Sequence, residues 1–171
     1  DRRMVVTDAD PARRIVHQIN AEVAAQEYAR ILGCRIDELT PSTFAENPVV
    51  VRIGGQHHVR AIQRAEANGD LQFFSAIDEG LVLTLAQSQD MAAHLDRELA
   101  GLGIETSPLT VLACDCILRR TEVQQRQIGP EISRILAAHR VVGFSTYGEQ
   151  INGLHVNQTM TGVAIYPPIG R

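Results

Sequence analysis

Residues 140–168, RVVGFSTYGEQINGLHVNQTMTGVAIYPP, constrain the chain more than any other stretch. Two apolar, strand-like segments, Val141-Val142-Gly143-Phe144 and Gly162-Val163-Ala164-Ile165-Tyr166, enclose a polar one. The polar part holds Ser145, Thr146, Tyr147, Glu149, Gln150, Asn152, His155, Asn157, Gln158, Thr159 and Thr161. Its apolar ends are expected to anchor it to a core, and Gly148 and Gly153 permit tight backbone geometry. Two readings stand side by side. Either this is a polar binding site carried between two strands, or its donors and acceptors satisfy the backbone of a loop.

The residues before it alternate between helix and strand signals. Asp10-Pro11 pairs an N-cap acceptor with a first-turn proline, and Ile15, Ile19, Val23 and Ile31-Leu32 extend an apolar face to Gly33, which predicts one helix. Residues 34–48 read as a connection. Val49-Val50-Val51-Arg52-Ile53 is a strand, Gly54-Gly55 a turn, and residues 57–64 a second strand. Residues 71–77 and 81–86 add two more strands around Asp78-Glu79-Gly80, which suggests an antiparallel meander. Ser88 is placed to cap a helix bearing Met91, Leu95, Leu99 and Leu102. Leu109-Thr110-Val111-Leu112-Ala113 then delivers Cys114-Asp115-Cys116 to a strand end, and Gly129-Pro130 opens a helix ending near His139-Arg140. The expectation is a single α+β domain, with a largely antiparallel mixed sheet and about three packed helices.

Several function classes fall away on composition. The formal charge of −4 and the lack of a basic block argue against nucleic-acid binding and against adhesion to anionic membranes. All 16 basic residues are arginine, so a lysine Schiff base is excluded. Three cysteines make no disulfide framework and suit a reducing compartment. No apolar run approaches a membrane span and no signal peptide is visible, so a cytoplasmic location is expected. The first residues are Asp1-Arg2-Arg3, which leaves open that the chain is a fragment of a longer protein.

Among residues able to carry chemistry, Cys114-x-Cys116 is the sharpest short pattern. Alternation on a strand puts both thiols on one face, where they could line a pocket, contact a ligand or act as a redox or catalytic pair. They could also bind a soft metal, but two ligands do not complete a zinc site and Cys34 or His155 would have to complete it in space, so no metal is assigned. His57-His58 point to opposite sides of a strand and read as structural or solvent-facing. Arg119 or Arg120 could hold a carboxylate through paired hydrogen bonds, or could join Asp115 and Glu122 in an ion-pair network. Asp78 and Glu79 read as turn residues. Ser145 does not stand in a nucleophile elbow. Amides and hydroxyls at Asn157, Gln158 and Thr159 favour neutral recognition over turnover, and no catalytic residue is assigned.

Residues 142–150 (VGFSTYGEQ) and 155–164 (HVNQTMTGVA) together resemble the C-terminal part of FIST sensory proteins. Cys114-x-x-x-x-Arg119 and Ala76-Ile77-Asp78-Glu79-Gly80 carry the same resemblance, which covers nearly the whole chain. It implies that residues 1–171 are a FIST C-terminal-like domain that senses a small ligand inside the cell, with amino acids or related carboxylates as the ligand class. It also implies two partners, an N-terminal FIST portion and a signalling output protein or domain. On this reading Arg119, Tyr147, Glu149, His155, Asn157 and Gln158 surround the ligand. Arg119 holds a carboxylate and Glu149 pairs with an amine or orients His155, while Cys114, Cys116, Ser145 and Thr159 line or brace the site. No cofactor is expected. Some related nitric-oxide sensing proteins bind haem, which keeps open a haem-binding sensor with His155 as a contact. Two non-sensory functions are also compatible with these residues: an enzyme using Cys114 or Cys116 with His155, and an interaction module whose pocket is vestigial.

Overall fold

The computed structural model describes residues 3–87, 89–151 and 153–168. They fall into two compact units, the first made of residues 3–87 and 154–157 and the second of residues 89–151, 153 and 158–168.

The first unit begins with strands β1 (Arg3–Asp10) and β2 (Ile15–Ile19). Alternation buries Met4 and Val6 of β1 and exposes Val5, the pattern of a strand covered on one face. A single helix from Asp10 to Gly33 is the expectation from sequence, and the structure corrects it. The Asp10 carboxylate does accept the Arg13 N–H at 3.0 Å, but it closes a turn, and the Arg14 N–H bonds the Pro11 carbonyl. Left-handed backbone at Arg14, Asn20 and Ala21 breaks the stretch again. The β-branched Ile15-Val16 pair between these turns ladders with β1 on one side and with a later strand on the other. Helix begins only after β3 (Glu22–Val23), as α1 (Ala24–Leu32), and ends at Gly33 as expected.

Residues 34–48 are more ordered than a plain connection. They contain a 3₁₀ turn (Ile36–Glu38) and α2 (Pro41–Glu46), the latter started by Thr40, whose hydroxyl accepts the Thr43 N–H, and by Pro41. The strands β4 (Val49–Ile53), β5 (Gln56–Arg60), β6 (Ile62–Ala65), β7 (Leu71–Phe73) and β8 (Val82–Leu85) follow. Gly54 and Gly55, both at positive φ, make the two-residue turn between β4 and β5. All pairings are antiparallel, but the order is β5-β4-β8-β1-β2-β7-β6, with β3 on β2. The expected meander is therefore split, because β1 and β2 insert between β8 and β7. Tyr28, Phe44, Phe73, Leu71, Met4 and Ile19 fill the core between this sheet and α1. The Tyr28 hydroxyl donates to the Asn47 carbonyl at 2.7 Å, and its ring lies 5.7 Å from that of Phe44. The strand Leu154–Val156 also belongs to this unit.

The second unit contains α3 (Met91–Gly101), β9 (Thr110–Cys116), α4 (Ile117–Gln125), α5 (Gly129–Ala138), β10 (Val141–Thr146) and β11 (Glu149–Ile151). With the strand Leu154–Val156 numbered β12, it closes with β13 (Met160–Ile165). The expected cap Ser88 lies outside the described residues; Asp90 caps α3, its carboxylate accepting the Ala93 N–H at 2.9 Å. The sheet of this unit has the order β10-β9-β13, with β10 parallel to β9 and β13 antiparallel. Gly143 and Gly162 stand opposite Ala113 from the two sides. A Cβ at Gly143 would fall 1.9 Å from the Ala113 carbonyl oxygen, and one at Gly162 would fall 2.4 Å from that of Leu112. Glycine is what lets both neighbours approach β9 this closely.

Met91, Leu95, Leu99 and Ile132 form the helical core here, with Val141 and Met160 packed on it. The apolar ends of residues 140–168 thus anchor only in part. Val142, Phe144 and Val163 lie on the surface. The class is α+β, and among the described pairings β10–β9 is parallel and those of β13–β9 and of the first unit's sheet are antiparallel. Five α-helices stand among the described residues where about three were expected, since α2 and α4 are short and polar enough to escape an apolar-periodicity reading. Among the described residues no helix is long and apolar enough to cross a membrane.

Candidate functional site

Strand β9 carries the CxC pattern to its end, and the first turn of α4 follows at once. Cys114 stands opposite Phe144 and Thr161 and is half-buried, while Cys116 stands opposite Thr146 and is fully buried. The Cys116 N–H donates to the Thr159 carbonyl at 3.0 Å. Burial pushes the Cys116 thiol up, the reverse of what a nucleophilic thiolate needs.

Arg119 lies one helical turn beyond Asp115, and its Nε donates to the Asp115 carboxylate at 2.7 Å. Burial raises the Asp115 carboxyl, and the Arg119 charge and hydrogen bond pull it part of the way back. A ligand carboxylate at Arg119 would have to compete with this pair. Arg120 is exposed, and Arg126 pairs with Glu122 at 3.0 Å.

Beyond β10 the chain folds a carboxylate inward. Glu149 is buried, and both of its oxygens are engaged: the Thr146 hydroxyl donates to one, and the Thr159 hydroxyl to the other at 2.8 Å. A buried carboxyl group held by two hydroxyls is a fixed acceptor. Ser145 is exposed opposite Asp115, and Tyr147 is 82% exposed. Gln158 adopts left-handed backbone at φ 52°. Asn152, part of the same polar run, lies outside the described residues.

Two of the residues assigned from sequence, His155 and Asn157, belong to the first unit instead. The His155 side chain is exposed, but its carbonyl accepts the Arg60 Nη1 at 3.2 Å, and Asn157 is fully buried. Sequence reasoning did not single out Arg60. It ends β5, is 7% exposed, and has no described carboxylate beside it. The one signal that could have found it is its position between Val59 and Ala61-Ile62, a charge inside an apolar run.

The remaining histidines and acids are explained locally. His57 is exposed and His58 half-buried on β5, opposite Arg52 and Val51. His139 ends α5 and meets Asp96 at 2.8 Å. Asp78 accepts the Glu79 N–H at 2.8 Å in a turn. No group of three metal-ligating side chains is present among the described residues.

Cavities open among the described residues of the second unit. One of about 250 Å³ is lined by Leu99, Pro108, Val111, His139 and Arg140 among others, and one of about 640 Å³ by Leu102, Ile104, Glu105 and Tyr166 among others. Neither includes a residue assigned to the site from sequence. Haem needs an apolar slot around its axial imidazole; the His155 side chain is exposed and lines neither of these two cavities.

Compared with known proteins, the chain matches the family model described as FIST C domain over residues 24–152, three quarters of its length. The match takes in Cys114, Arg119 and residues 142–150, and stops before His155. No curated protein and no solved structure matches the chain.

Proposed function

Since the chain belongs to the FIST C domain family, a family with a sensory and signalling role, we propose that it is the part of a signal-transduction protein that binds a small ligand carrying a carboxylate, an amino acid or a close relative. The observation that carries the reading is the family match over residues 24–152. The arrangement of polar groups supports binding over turnover. Glu149 is tied to two threonines, Arg119 to Asp115, and the Cys116 thiol is buried and pushed up, so these groups are held as fixed acceptors and braces. Arg119, Tyr147, Glu149 and Gln158 in the second unit and His155 and Asn157 in the first are the starting set for substitution. Ligand binding would signal by favouring one of two packings of the domain over the other.

The test is a ligand screen by native mass spectrometry against the standard L-amino acids and small organic acids, with haem run separately. Saturable binding of one class without chemical change supports the reading. Conversion of the bound compound would replace it with an enzyme, and retention of haem alone would replace the ligand class. Absence of any bound compound would overturn it in favour of an interaction module.

A further inference from the structure

Arg60 is the described arginine whose surroundings least resemble those of an ordinary surface cation. It lies at the end of β5, opposite Val49, with only 7% of its surface exposed. Its Nη1 donates to the Val59 carbonyl at 3.5 Å and to the His155 carbonyl at 3.2 Å. Its Nε is buried and has no hydrogen-bond partner among the described residues. By contrast Arg30, Arg35, Arg64, Arg119 and Arg126 each pair with a carboxylate.

A second polar group nearby is in the same condition. Ser75 is 1% exposed, and its hydroxyl is buried without a partner among the described residues. The backbone register points the two at each other. Ile62 stands opposite Phe73, where β7 ends, and the Phe74 N–H bonds the Ala61 carbonyl at 3.0 Å; the same register carried past the end of β7 would bring Ser75 level with Arg60.

A buried guanidinium without a counter-charge is costly, and so is a buried hydroxyl without an acceptor. Burial alone draws the Arg60 group down from the ordinary arginine range, with no acidic side chain acting against it. Both groups can be relieved at once by an acceptor that is negative and has at least two oxygens. With Nη1 held by backbone carbonyls, the Nε edge of the planar fork is the part left to receive it, and that edge matches a carboxylate.

We propose that Arg60 and Ser75 anchor the carboxylate of the ligand, the Nε edge of the guanidinium and the Ser75 hydroxyl donating to its oxygens. This rests on the reading of the chain as a domain that binds a small carboxylate-bearing molecule, and it moves the anchoring arginine from Arg119 to Arg60. The His155 carbonyl then serves to aim the guanidinium through Nη1. That gives the His155 position a part in the site through its backbone, which fits the exposure of its side chain.

The experiment is calorimetric titration of the chain with the standard L-amino acids, acetate and succinate, for the wild type and four variants. Arg60→Leu is expected to fold, because an apolar residue replaces an unpaired buried charge, and to weaken binding at least about a hundredfold. Arg60→Lys keeps the charge but loses the fork, with a loss of about tenfold. Ser75→Ala, the mildest change to the fold, is expected to weaken binding about fivefold. Arg119→Leu tests the competing anchor and should cost less than Ser75→Ala. Binding that survives in Arg60→Leu and Ser75→Ala but is lost in Arg119→Leu overturns this assignment and leaves the sensor reading standing. A wild-type chain that binds none of the probes overturns both.

Discussion

Replacing Gly143 by alanine should destabilise the second unit, although alanine usually stabilises a position that glycine holds without strain. Gly143 is not among the positive-φ glycines, so its backbone is one that alanine adopts, and removing a glycine would on its own favour the folded state by about 0.5–1 kcal/mol. The new Cβ, however, would lie 1.9 Å from the Ala113 carbonyl oxygen, where ordinary contact begins at 3.4 Å. The obstacle is backbone in the central strand of a three-stranded sheet, so no side chain can turn aside. Strand β10 must retreat by about 1.5 Å, which carries its nearest ladder bonds out of hydrogen-bond range. Losing two of them at about 1 kcal/mol each, together with the packing of Val141 on the helical core, gives a net cost of about 3 kcal/mol. Gly101→Ala is the matched control: it sits at the end of α3 with nothing within 4 Å of its Cβ, and should be neutral or stabilising. Urea denaturation followed by far-UV circular dichroism reads both. The Gly143→Ala midpoint should fall by about 1–2 M while that of Gly101→Ala holds or rises. Equal midpoints for the two variants would refute the close approach of β10 to β9.

Three more outcomes are expected from the same geometry. Tyr28→Phe keeps the ring against Phe44 but removes the donor to the Asn47 carbonyl, and should cost about 1–2 kcal/mol in urea; no loss would mean that this carbonyl finds another donor. His17 has its pKa raised, chiefly by the hydrogen bond to Asp70, so its contribution to stability is complete below about pH 6 and is lost as pH rises through the raised value. The wild-type midpoint should therefore fall between about pH 6 and pH 8 by more than that of His17→Gln, and parallel profiles would remove the His17–Asp70 pair as the cause. Iodoacetamide applied to the native protein should modify the half-buried Cys34 and Cys114 and spare Cys116, whose thiol is fully buried and pushed up. Peptide mapping that finds Cys116 alkylated as fast as Cys34 would contradict its burial.

Where the sequence carries a complete local instruction, the fold follows it. Gly54-Gly55 closes a hairpin, Gly129-Pro130 starts α5, and the segments around 110–116, 141–146 and 160–165 are strands. Where an instruction has two uses, distant partners choose between them. Asp10-Pro11 can cap a helix or close a turn, and β1 and β7 claim Ile15-Val16 as strand, which leaves only the turn. The polar segment shows the same division. Its residue types mark it as a place of hydrogen bonding, but their partners come from elsewhere: Thr146 and Thr159 converge on Glu149, and Asp115 takes Arg119.

The α+β class, the main turns and the family were legible in the chain alone, because propensity, turn chemistry and a specific run of residues are local properties. The insertion of β1 and β2 between β8 and β7, the commitment of Arg119 to Asp115, and the burial of Arg60 with no described carboxylate acting on it emerge only on folding. Each of these depends on which distant strand or turn supplies the neighbour. A guanidinium reads the same in sequence whether a carboxylate faces it or not, and the presence or absence of that neighbour sets its charge balance and what it can bind.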